Sequence, residues 1–240
     1  MATLVNERSY QRKSALTAGI SLLIMTFASF FSYGYVHGSL IVQGDAIATF
    51  HNIQSSTLLY KAEIFGWVIT LICDIVVAWA FYLFLKPINK NLSLLGAWLR
   101  LTYVAILGIA ILNLIFVLNL SKGTELLSLF QINQLQAQMM VYLKAFETIW
   151  SIGLIIFGAH LMTVGYLAFQ STNIPKVISL LLLLASVGYI AINLSKTFFP
   201  QFIGIISTLQ IVFSLPMIAG ELGFGIWLLL RGGKVPIFFS

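Results

Sequence analysis

Charge is what this sequence has least of. Only 8% of its 240 residues are charged, against about a quarter in a soluble domain, and the mean hydropathy is +0.99. So little polar surface excludes a water-soluble globular chain. Cysteine is nearly absent as well. Cys73 stands alone inside an apolar run, which excludes an intramolecular disulfide and a thiolate zinc site. No HExxH, GxSxG, GxxxxGK[ST] or CxxCH signature occurs, so no catalytic residue, metal or cofactor is expected. The basic residues that give the net charge of +6 are scattered over short loops rather than interleaved with aromatics in one patch. Nucleic acid is therefore not an expected partner.

What fills the chain is apolar sequence, in continuous runs of roughly 20 residues, each long enough to cross about 30 Å of hydrocarbon. These runs do not alternate, which points to helices rather than a closed barrel. The reading is an all-α polytopic membrane protein: a single six-helix bundle with spans near 14–37, 62–85, 94–119, 142–169, 177–195 and 204–230, and no soluble domain. The first run follows Arg8, Arg12 and Lys13 but is longer than a signal core and lacks a small-x-small cleavage site, so it reads as an uncleaved span. With both termini inside, nine of the basic residues fall on the cytoplasmic side (Arg8, Arg12, Lys13, Lys86, Lys90, Arg100, Lys176, Arg231, Lys234). Four fall outside (Lys61, Lys122, Lys144, Lys196), an asymmetry that supports N-in, C-in. Two longer outer loops carry helical signals: Asp45 is placed to N-cap a short helix with an Ile47, Phe50, Leu58 stripe, and Ser121 or Thr124 to cap a second segment.

An ionisable group at membrane depth costs about 2.5–3.5 kcal/mol on insertion scales and faces a partner, a cavity or water. The list here is short: Asp74, Arg100, His160 and Glu221. Counted from the cytoplasmic ends of their spans, all four lie at similar depth, so contact among them is feasible. Residues seven or eleven apart share a helix face, which places Glu63, Thr70 and Asp74 on one polar stripe and Gln210, Ser214 and Glu221 on another. Both stripes are expected to face inward. Pro216 is expected to kink the sixth span just before Glu221. For Arg100 two readings stand side by side: snorkelling to the interface, or an ion pair with Glu221 or Asp74 that locks helices in register. His160 reads as a hydrogen-bonded packing residue more readily than a metal ligand, on a helix buried on two faces. The outer residues Asp45, His51, Glu63 and Glu147 have metal-capable side chains without a metal-site spacing. Gly153, Gly158, Gly165 and Gly223 allow close helix contact.

The segments DAIATFHNIQSSTLLYKAEIFGW, CDIVVAWAFYLFLKPINKNLSLLGAWLRL, FGAHLMTVGYLAFQSTNIPK, VGYI and AGELGFGIWLLLRGG together resemble the bacterial domain of unknown function 4386 family. The resemblance implies a multi-span protein of the bacterial inner membrane and assigns no catalytic residue. Taken with the polar stripes, it leaves one expected function and two alternatives. The first is binding or transport of a small polar or cationic solute, or of protons, with Asp74, His160, Glu221, Gln210 and Thr70 as binding candidates and Arg100 with Glu221 as a structural ion pair. The alternatives are a structural protein that binds a neighbouring membrane protein or lipid, and an intramembrane enzyme using His160. The lipid bilayer is the one partner common to all three.

Overall fold

The computed structural model describes residues 2–122 and 130–234, with side chains from Ser9 onward. The described residues form helices and turns, with no strand. Helix α1 (Ala2–Ser29) continues through a π-helical segment, π1 (Phe30–His37), into the single turn α2 (Gly38–Leu40). A short helix α3 (Ala46–Ser55) follows, then α4 (Thr57–Leu85), α5 (Lys90–Ser121), α6 (Ile132–Gln170), α7 (Lys176–Phe198) and α8 (Ile203–Leu230). Six helical stretches are long and apolar enough to cross a membrane, and each contains one of the expected spans: Ser9–Leu40 and the five helices α4 to α8. The exterior fits that reading. Phe65, Ile211 and Leu215 are 66%, 76% and 73% exposed, a surface suited to lipid chains and disfavoured in water.

Local chemistry explains the breaks. Asp45 accepts from the Ala48 amide at 2.9 Å and caps α3, as its position before the helix predicts. The preceding Gly44, at φ +79°, supplies a left-handed turn. Of the expected stripe, Ile47 of α3 and Leu58 of α4 are exposed, while Phe50 turns inward with Thr49 and Ile53. Asn89 caps α5 through the Leu92 amide at 3.0 Å, and Pro175 immediately precedes α7. Ser121 ends α5 rather than starting a helix, bonding back to the Leu118 carbonyl. Thr124 lies outside the described residues. Helix α6, with 39 residues, is about 58 Å long at 1.5 Å per residue. That exceeds a bilayer core, and its polar start INQLQAQ accounts for the surplus.

Two compact units make up the chain: Met1–Ile24, Cys73–Ala105 and Ser151–Ser240 form unit one, and Met25–Ile72 with Ile106–Trp150 form unit two. In unit one, small residues set the helix contacts. Gly158 of α6 lies against Ile190 and the Ser186 carbonyl of α7, Gly165 against Leu183, and Gly188 of α7 against Phe213 of α8. Any Cβ at Gly158 would stand 2.6 Å from Ile190. Gly223, expected at a helix contact, has nothing within 4 Å. Arg12 joins α1 to the end of α8, donating to the carbonyls of Leu228, Gly232 and Leu229 at 3.1, 2.8 and 2.7 Å. They lie where a helix terminus leaves carbonyls short of partners, although that of Leu228 also accepts from the Gly232 amide at 3.2 Å. In unit two, α4 approaches the end of α1 and the start of π1 closely at Gly66, which packs on the Ala28 carbonyl and Ser32, and the Tyr60 hydroxyl donates to the Leu114 carbonyl at 3.3 Å.

Candidate functional site

Unit one gathers the four charged or ionisable residues expected to meet. Asp74 lies 11 residues from the end of α4 at Leu85, Arg100 10 from the start of α5, His160 10 from the end of α6 and Glu221 9 from the end of α8. At 1.5 Å per residue these are depths of about 14–17 Å, close to the middle of a 30 Å core. Arg100 therefore does not reach an interface. It is 1% exposed and stays at depth because its side chain is fully engaged.

Its guanidinium donates through Nε and Nη2 to Asp74 Oδ1 at 2.9 and 2.5 Å. Nη1 meets His160 Nε2 at 3.0 Å. The rings of Phe81 and Phe157 flank it, with centroids 5.7 and 5.3 Å from the guanidinium carbon, a cation–π arrangement strengthened by the burial of Arg100. Of the two anticipated partners, Asp74 makes the ion pair. The expected Arg100–Glu221 pair is corrected accordingly: Glu221 takes a hydrogen bond from the Tyr189 hydroxyl of α7 at 2.6 Å.

The hydrogen bonds also define the state of His160. A guanidinium has only donors, so Nε2 accepts and carries no proton. Nδ1 lies 2.8 Å from the Gly96 carbonyl and must donate to it. The ring is thus the neutral Nδ1–H tautomer, with both nitrogens occupied. Neither nitrogen is free to act as an acid or base in this arrangement. On the far side of α6, Ser151 donates to Asn193 of α7 at 3.1 Å, so the helix is enclosed by α5 on one face and α7 on another.

Two features leave this cluster open to a further ligand. Asp74 Oδ2 is buried and has no hydrogen-bond partner. Between Arg100 and Glu221 lies a cavity walled by Phe81, Phe224, Leu161, Leu182 and Leu22, with about 10 Å³ open to the centre of a water molecule. That is the space of one water. Glu221 itself is partly exposed.

The remaining candidates, Thr70 and Gln210, do not line that cavity. Thr70 is buried, and its hydroxyl bonds back to the Gly66 carbonyl at 3.0 Å in its own helix. Glu63, Thr70 and Asp74 are all buried, as an inward stripe requires. The stripe on α8 is corrected: Gln210 and Ser214 are exposed, and only Glu221 is half-buried. The cause is packing. The first half of α8 meets Gly188 of α7 through Phe213, and the face that carries Glu221 is left uncovered at the level of Gln210. Helix α8 runs unbroken through Pro216. Among the described residues no three His, Cys, Asp or Glu side chains form a metal-holding group. Tyr189 is the member of the site that sequence reasoning missed. The signal for it was depth: a tyrosine in mid-span, 13 residues into α7, has a hydroxyl that must find a partner.

Comparison with known proteins agrees with the likeness carried by the FGAHL and GELGFGIWLLLRGG segments. An uncharacterized protein of Archaeoglobus fulgidus is 30% identical over 173 residues, covering 72% of this chain and 85% of that protein. No solved structure matches. Residues 17–232, spanning all six helical stretches, match the family described as Domain of unknown function (DUF4386), and this multi-pass membrane protein belongs to that family.

Proposed function

We propose that the chain binds, and passes across a cell membrane, a proton or small monovalent cation at Glu221, with both termini on the cytoplasmic side. The supporting observation is a count of charge around the water-sized cavity. Arg100 is the one permanent cation, His160 is neutral, and two carboxyl groups are present. Asp74 balances Arg100. An ionised Glu221 is then a surplus charge at membrane depth, which a proton or cation neutralises at far lower cost than leaving it bare. A cavity of this size suits such a ligand and not an organic solute. The topology rests on the nine-to-four basic asymmetry.

The test is flux into liposomes containing the purified chain and a pH- or cation-sensitive dye. Wild-type protein is expected to give gradient-dependent flux that Glu221→Gln lowers by about tenfold or more, the loss expected when one essential group is removed. Flux equal to that of empty liposomes, or unchanged in Glu221→Gln, refutes the proposal.

One observation favours a partner-binding role instead. Only 11% of the apolar stretch in α8 is buried, against 39–50% in the other five, and the exposed Gln210 amide sits beside exposed Ile211 and Leu215. An amide in hydrocarbon is stabilised by a neighbouring helix that hydrogen-bonds it. On this reading Gln210→Leu abolishes co-purification or cross-linking with that helix and leaves the fold intact.

A further inference from the structure

Unit two contains a second buried polar group that the Glu221 reading does not use. The π1 segment bonds i to i+5, so residues four apart stand almost one above the other. Tyr33 and His37 accordingly stack, with centroids 5.1 Å apart and planes 24° apart. His37 Nδ1 lies 2.7 Å from Glu63 Oε1 of α4. The two residues are 5% and 0% exposed. Trp67 from α4 and Phe146 and Trp150 from α6 complete a ring of aromatics. Trp67 and Trp150 meet at 5.0 Å, Tyr33 and Trp150 at 4.8 Å, and His37 and Phe146 at 5.8 Å.

Four buried polar atoms in this group lack a well-formed hydrogen bond, His37 Nε2, Glu63 Oε2, Trp67 Nε1 and Trp150 Nε1, and the Trp67 indole lies beside the Glu63 carboxylate. Buried polar atoms in native proteins are paired with protein or with water, so orphans gathered in one place mark a missing ligand. Their chemistry selects it. An indole N–H only donates and a carboxylate only accepts. A metal cation would find only two ligand atoms, one carboxylate oxygen and one imidazole nitrogen, beside two indole N–H donors that repel it, and a halide would be repelled by the carboxylate. Water accepts two hydrogen bonds and donates two, which suits two indoles, one carboxylate oxygen and one imidazole nitrogen.

We propose that these residues form a hydrated proton-binding site in which water bridges the two indoles to Glu63 and His37 Nε2 takes up the proton. On uptake an N–H bond forms at Nε2 and an O–H bond of a hydronium ion breaks, leaving water in place. The neutral Nδ1–H imidazole beside the Glu63 carboxylate becomes an imidazolium, and the charge of the pair goes from −1 to zero. The stacked Tyr33 ring and the neighbouring aromatic faces stabilise the cationic ring. The other titratable groups near the pair are Tyr33 of π1 and Tyr60 of α4, both within reach of Glu63, and beyond Tyr33 lies Glu147 of α6, itself paired with Lys144 at 3.2 Å.

Tryptophan fluorescence reads the site directly, because an imidazolium quenches neighbouring indoles. Purified chain in lipid nanodiscs, titrated between about pH 4 and pH 9 across the range where histidine changes charge, is expected to lose emission as the pH falls. His37→Gln is expected to abolish the transition, and Trp67→Phe or Trp150→Phe each to remove a large part of its amplitude. Glu63→Gln is expected to displace its midpoint by about one pH unit or more. The two Trp→Phe changes preserve ring packing, so the test survives if the charge variants fail to fold. Glu221→Gln should leave the transition unchanged, which separates this site from the cavity in unit one. A transition that persists in His37→Gln, or that neither Trp→Phe variant diminishes, overturns the proposal.

Discussion

Removing the Arg100 side chain should show how much of the fold depends on its ion pair. The Arg100→Met change removes two N–H···O bonds to Asp74, at 2.9 and 2.5 Å. Hydrogen bonds to charged groups contribute about 1.5–3 kcal/mol each, so the pair accounts for about 3–6 kcal/mol. A second route gives a similar figure: stranding one member of a buried ion pair costs about 3–5 kcal/mol. Asp74 is 0% exposed and its Oδ2 already lacks a partner, so the stranded carboxylate has no alternative donor at hand. The reverse change, Asp74→Leu, leaves a guanidinium held only by a neutral imidazole and two aromatic rings, at similar cost. Replacing both residues by apolar ones removes the stranded charge, and stability should return to within about 1 kcal/mol of wild type. Reversible unfolding in mixed micelles, followed by fluorescence, measures all four corners of the cycle. The expected coupling is about 3 kcal/mol, well above the roughly 0.6 kcal/mol typical of neutral interhelical hydrogen bonds in bilayers. The same cycle between Arg100 and Glu221 should give a much smaller value, because Glu221 takes its hydrogen bond from Tyr189. Additivity of Arg100→Met and Asp74→Leu within about 0.5 kcal/mol refutes the reasoning.

Two further predictions concern helix contacts. Arg12→Ala removes three hydrogen bonds to carbonyls at the end of α8 and should cost about 1–3 kcal/mol. Faster amide exchange and proteolysis around Gly232 are the expected signs, and unchanged protection there contradicts the assigned role. Gly158→Ala places a Cβ 2.6 Å from Ile190 and 3.0 Å from the Ser186 carbonyl, so it should destabilise by about 1–3 kcal/mol through overpacking. Gly223→Ala, with nothing within 4 Å, should be neutral or slightly stabilising in the same unfolding assay.

Depth and direction around the helix differ in how far the sequence determines them, and the two polar sites show why. Hydrophobic run length alone locates the six spans, since a 30 Å core requires about 20 apolar residues whatever the neighbours are. A fixed rise of 1.5 Å then places Asp74, Arg100, His160 and Glu221 at one level, and the cost of isolated charge implies that they meet. Which residue each one meets depends on helix rotation and neighbour order, and those come from packing. Gly96, Gly158 and Gly188 lie where α5, α6, α7 and α8 meet, and only that arrangement gives Arg100 to Asp74 and Glu221 to Tyr189. The same cause left Gln210 outside: it shares a face with Glu221 by periodicity, but no helix covers that face along the first half of α8. His37 and Glu63 are a more demanding case. A π-helical segment changes the angular step at Phe30–His37, and a pattern read at 3.6 residues per turn does not reveal it. Sequence thus decided what must be buried and at what depth. Tertiary packing decided which buried groups face each other, because contact between helices depends on shape complementarity distributed over many side chains.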